Sequence, residues 1–154
     1  MIVQDSPPVF RHWVGRFERI AERCETVFED LPEELWDWSP EEGISSVSSH
    51  LFALTEAARS LRADLEDRRD PGRRRLAPEP GLRGCEVARA AAGCLRAVAQ
   101  RVAEGLATGP GRNEAHEVAL ARGLELCAHH LAAAAVLLRL ADPARPGALR
   151  LVGA

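Results

Sequence analysis

The chain contains no lysine and no tyrosine, so all twenty of its basic residues are arginine. Without these two residue types there is no Schiff-base lysine, no phosphate-loop lysine and no phenolic acid or nucleophile. The four cysteines, Cys24, Cys85, Cys94 and Cys127, include no Cys-x-x-Cys pair of the kind that marks a structural zinc site or a redox motif. Cys85 and Cys94 fall on one expected helix with a rise of about 13 Å between them, too far for a disulfide. Free thiols in a reducing compartment follow as the expectation.

Long apolar runs are also missing. The longest, Leu131 to Leu138, falls well short of the roughly 20 residues that a bilayer span requires. The N-terminus carries no basic segment followed by an apolar core. A cytoplasmic protein that neither spans nor binds a membrane is therefore expected. His116-Glu117 begins like the zinc-protease pattern His-Glu-x-x-His, but Leu120 occupies the second histidine position. No Ser-His-Asp signature and no glycine-rich phosphate loop is found either.

What is present fits one all-α domain over residues 1–154. Hydrophobic residues at 46% and charged residues at 28% are ordinary globular values. The net charge of -3 gives no general attraction to nucleic acid, so no nucleic-acid partner is expected. Ser6-Pro7-Pro8 opens a first helix, on which Phe10, Trp13, Phe17, Ile20, Cys24, Val27 and Leu31 recur at three- and four-residue steps until Pro32 ends it. Leu35, Trp36 and Trp38 in the following connection suggest a helical turn packed over the end of a bundle. Ser45 or Ser46 caps a second long helix with the stripe Val47, Leu51, Leu54, Ala58, Leu61 and Leu65.

Asp70 to Leu82 holds three prolines and two glycines. Its residues from Pro71 to Gly81, extended, reach about 36 Å, enough to cross the whole bundle, so the next helix need not run antiparallel to the one before. Arg73-Arg74-Arg75 within it is interleaved with acidic residues and reads as a solvated loop. A third long helix, about Leu82 to Leu106, turns Cys85, Ala88, Ala92, Leu95, Val98, Val102 and Leu106 inward. The fourth, capped by Asn113, carries two adjacent stripes: Ala121, Leu124, Ala128, Leu131, Ala135 and Leu138, and beside them Cys127, His130, Ala134 and Leu137. That pattern predicts a helix buried over a wide arc. The sum is a four-helix bundle with a long crossover between its second and third long helices.

Chemistry in such a fold concentrates on inward residues of different helices. His50 sits at the edge of the second long helix's buried face, and His130 lies on the fourth with Cys127 one turn before it. His50, Cys127 and His130 form a three-ligand set with room for water, the arrangement of a catalytic zinc site. The same residues also read as two neutral histidines bonded to each other and a cysteine used as a small hydrophobe. Glu125 and His129 offer a second, more outward pair.

Three segments, LPEELWDWSPEEG, SSHLFAL and LELCAHHLAAAAVLLRLADPARP, together resemble the DinB/YfiT-like superfamily of helical bundles in order and spacing. That resemblance implies a zinc or nickel site with one histidine from the second helix and two, four residues apart, from the late helix. His50 matches the first position and His130 the last, whereas Leu126 occupies the middle one and Ala132-Ala133 replaces a usual Gly-Gln. Either Cys127 substitutes from the adjacent position or the site has lost its metal. The resemblance further implies a small-thiol transferase or hydrolase, a homodimer, and arginines at the bundle mouth that steer an acidic cofactor. The alternative is a non-catalytic bundle that binds a small ligand or dimerises in a stress-associated role.

Overall fold

The computed structural model of the chain describes residues 8–66, 85–106 and 110–143. They form five helices and no strand: α1 (Pro8–Val27), α2 (Glu33–Trp36), α3 (Val47–Leu65), α4 (Cys85–Glu104) and α5 (Arg112–Ala141). Four of these are long, and α2 is a single turn. Ser6, Pro7 and the proline-rich crossover from Asp70 to Leu82 lie outside the described residues.

Helix boundaries follow local chemistry. Ser46 caps α3, its hydroxyl accepting the Ser49 N–H at 3.2 Å. α1 stops at Val27, four residues short of the sequence expectation. Pro32 disfavours helical geometry at the residue before it, and the intervening turn swings Phe28 inward against Trp36, with ring centroids 5.9 Å apart. Leu31 stays buried in that turn, and its carbonyl accepts the Trp36 indole N–H at 3.3 Å. The tryptophan turn thus closes one end of the bundle. α5 begins one residue after Gly111, which adopts φ 77° and supplies no side-chain cap. Asn113, expected as the cap, therefore falls inside the first turn.

The packing forms a ring in which α1 lies against α4, α4 against α3, α3 against α5, and α5 against α1. The contacts fix the directions. His50 meets His130, Leu54 meets Cys127 and Leu61 meets Gly123, so α3 and α5 are antiparallel. The end of α1 and the start of α4 line one cleft, through Phe28 and Cys85 among others, which makes that pair antiparallel as well. Phe10 and His116, in the first turns of α1 and α5, pack edge to face at 6.3 Å, so those helices share a direction. It follows that α4 runs in the same direction as α3.

The apolar stripes read from sequence in α1 and α3 are buried throughout. In α4 the stripe is buried except for Cys85, which is half-buried at the first turn. Arg96 of α4 and Glu25 of α1 add a two-pronged ion pair across the outside of the ring. Both side chains are well exposed, so such a pair is worth at most about 1 kcal/mol.

α5 departs from expectation in part. Of the two stripes read from sequence, Cys127, Leu131, Ala134, Ala135, Leu137 and Leu138 are buried as read, and His116 and Leu120 extend the core face, whereas Ala121 and Ala128 face solvent and Leu124 and His130 are only half-buried. α5 is also the one described helix whose length and hydropathy suit a membrane span, and only 33% of its most apolar window is buried. Core helices of soluble bundles share that composition.

The α3–α5 seam is tight at Gly123, where an added Cβ would stand 2.5 Å from Leu61 Cδ2. A Gly123→Val variant is expected to lose about 2–3 kcal/mol through overpacking. Gly93 lies exposed on α4 with nothing within 4 Å of an added Cβ, so Gly93→Ala is expected to gain about 0.5–1 kcal/mol from helix propensity. Urea unfolding of both variants checks the pair, and equal stabilities would contradict the close crossing.

Candidate functional site

α3 and α5 carry His50 and His130 to one point on their shared seam. The Nδ1 atoms of the two rings stand 3.1 Å apart, with ring centroids at 5.4 Å and an interplanar angle of 43°. His50 lies in the first turn of α3, where Ser46 and Val47 fix the start of the helix and Leu51 and Leu54 fix its buried face. The antiparallel register of α5 then sets His130 opposite. Both rings are half-buried. His129 adds a third imidazole whose centroid is 5.4 Å from that of His130, but it faces solvent.

At 3.1 Å one Nδ1 carries a hydrogen and donates while the other accepts, so the two neutral rings occupy complementary tautomers. Burial pushes both imidazoles below the usual histidine range. His129 adds to the shift at His50, and His50 and His129 both add to it at His130. The physical reason is common to both: a proton added here loses solvation and meets neighbouring imidazoles. At neutral pH the pair is uncharged, the state in which imidazole binds metal.

The same separation suits a chelate. Two nitrogens, each about 2.0–2.1 Å from a tetrahedral zinc, stand about 3.3 Å apart. Two donors therefore fit a metal, but the third position is another matter. Cys127 is completely buried, and its thiol lies 3.9 Å from the Leu54 carbonyl on the core side of α5. Burial, and then the nearby Cys94, push that thiol up to about 12. With no metal beside it, a thiol so disposed is held protonated. Glu125 and His129, the outward pair, both face solvent. Among the described residues no three of His, Cys, Asp and Glu are grouped to hold a metal ion.

Leu126 is 46% exposed. It lines a groove of about 740 Å³ that runs along the α3–α5 seam past Leu61, Gly123 and His116. His116 is the residue that sequence reasoning passed over. It is 5% exposed, and its Nε2 has no hydrogen-bond partner among the described residues. Its position in register with Leu120 and Cys127 was the available signal, but the expected stripe of this helix began five residues later.

No protein family, curated protein or solved structure matches the chain.

The lowered imidazole values carry a pH consequence. An unfolded chain takes up protons at these two positions near pH 6.5, where the folded pair remains neutral. The unfolded state thus binds more protons in the window below 6.5, and stability falls as pH drops through it. Glu25, held low first by its hydrogen bond with Arg96, acts only in the more acidic carboxylate range. The melting temperature is therefore expected to be lower at pH 5 than at pH 7.5, and the difference to shrink in a His50→Gln/His130→Gln double variant. An unchanged difference in that variant would assign the pH dependence elsewhere.

Proposed function

We propose that this protein is a DinB/YfiT-like bundle whose His50–His130 pair is a two-point site for a zinc or nickel ion. A small thiol supplies the coordination that the chain itself does not, and the reading extends to a small-thiol transferase or hydrolase. The observation that carries it is the 3.1 Å approach of two imidazole nitrogens from separate helices. That approach matches what one metal ion asks of two ligands, and the rings are neutral at physiological pH for the reasons given above.

In this reading, α3 and α5 hold the two nitrogens at fixed separation, and half-burial of the rings limits access of water to one side. A bound metal would supply Lewis acidity, lowering the pKa of a coordinated thiol. Leu126 leaves the family's middle position without a donor, so occupancy depends on the external thiol more than it would at a three-histidine centre. Cys127 has no part in it and serves the core. The apolar wall of the adjoining groove, formed in part by Leu61 and Leu126, suits the non-polar part of a small substrate.

A second reading rests on the same contact. The Nδ1 atoms also satisfy each other by hydrogen bonding, which accounts for the pair with no metal and leaves a non-catalytic bundle. Cobalt(II) titration with and without 2-mercaptoethanol separates the two. The metal reading expects visible d–d bands to appear with the thiol present, together with a thiolate-to-cobalt band. It expects them to be lost in His50→Ala and in His130→Ala, and retained in Cys127→Ala. Less than about a tenth of an equivalent of bound cobalt, with thiol present, would leave only the hydrogen-bonded pair.

A further inference from the structure

The groove along the α3–α5 seam, at about 740 Å³, has the size of a small-molecule site. Two of the large hydrophobic side chains that the fold leaves exposed, Val118 and Leu126, line it together with Leu61. Its charged lining is balanced, Asp64 and Glu114 against Arg112 and Arg122. A wall of that kind draws in neither anions nor cations. These four charged side chains all reach solvent. His116 does not: it lines the same groove but is buried, and its Nε2 has no hydrogen-bond partner among the described residues. The neighbouring ring, Phe10, carries no hydrogen-bonding atom. A polar nitrogen taken out of water without a partner costs stability, and such an atom beside a groove is a point at which a ligand gains more than it would at the surface.

We infer that this groove binds an uncharged amphipathic molecule whose hydroxyl group pairs with Nε2 of His116 while its apolar body covers Leu61, Val118 and Leu126. The choice of a hydroxyl follows from the imidazole. With its hydrogen on Nδ1 the ring accepts at Nε2, and with its hydrogen on Nε2 it donates there. A hydroxyl answers either tautomer. A carboxylate or an ammonium answers only one, and brings a charge that the balanced wall does not compensate. Because Nε2 is out of water's reach, the hydroxyl meets it only after a shift of the lining, and Val118, Arg122 and Leu126 are exposed enough to make one. His116 stands 14 residues before His130 on α5, about 21 Å along the helix, so the hydroxyl contact is separate from the histidine pair, whereas Leu126 brings the other end of the groove to within about one turn of it.

The inference rests on the reading of this groove as the substrate's place and adds to it the class of substrate. Titration calorimetry of the full chain in a metal chelator, with 2-naphthol as the probe, tests it without drawing on the metal site. 2-Naphthol is expected to bind, and 2-methylnaphthalene and 2-naphthoate to bind about tenfold more weakly or worse. His116→Phe, which keeps a ring against Phe10, is expected to bind 2-naphthol and 2-methylnaphthalene alike. Ala119→Trp, which fills the groove from its wall, is expected to lose both probes with unchanged helical circular dichroism. Should His116→Phe fail to fold, the wild-type preference for the hydroxyl and its loss in Ala119→Trp carry the test. Absence of 2-naphthol binding overturns the proposal. So does equal affinity for 2-naphthol and its methyl analogue in the wild type, a hydroxyl preference that survives His116→Phe, or binding indifferent to Ala119→Trp. None of these outcomes alters the cobalt titration, and a chain that binds 2-naphthol but no cobalt keeps the groove site and loses the metal one.

Discussion

The antiparallel crossing of α3 and α5 is the constraint on which the rest of the structure depends. Gly123 lets Leu61 lie against the backbone of α5, where any side chain would push it away. Further along the same seam Cys127 meets Leu54, and beyond that His50 meets His130. Side chains with little or no bulk at the first two contacts keep the helices close, and that closeness brings two ring nitrogens within 3.1 Å at the third. A helix pair held a few ångströms further apart would leave two unrelated surface histidines. The candidate site is thus a consequence of packing some turns away from it.

The two sides of α5 serve different ends. Its inner face supplies Leu120, Cys127, Leu131 and Leu138 to the core, and its outer face remains apolar without being covered by the fold. Amphipathicity normally tells a helix which way to turn. Here the choice is made by the neighbours, because the ring of α1, α4 and α3 offers one concave side and α5 fills it. Cys127 follows the core face, whereas His130, three residues on, lies at the rim of the seam. A rotation of α5 by less than one residue's angle would exchange those roles.

Much of this was legible in the chain. The stripes of α1 and α3 were read residue by residue and are buried as read, because each alternates with a clearly charged face. Ser46 was legible as a cap, and the tryptophan turn as the lid of the bundle end. His50 and His130 were legible as a pair on separate helices, since each sits at the edge of an apolar stripe where an imidazole needs a partner. The start of α5 and the N-terminal part of its buried face, at His116 and Leu120, were not, although Cys127 was read on an inward stripe and is buried. Ala121 and Ala128 fit either side of a helix that is apolar all round, and the positive φ of Gly111 displaced the asparagine from the cap.

Sequence by itself determined that the chain is helical, where its long helices lie, and which faces of α1, α3 and α4 turn inward, because periodic burial is written in residue order. It also marked the two histidines that meet. Tertiary structure alone decided the ring order, the shared direction of α3 and α4, and the turning of Ala121 and Ala128 out to solvent. Those depend on contacts between residues far apart in the chain, at Gly123 and Leu61 above all, and no local pattern encodes the distance between two helices.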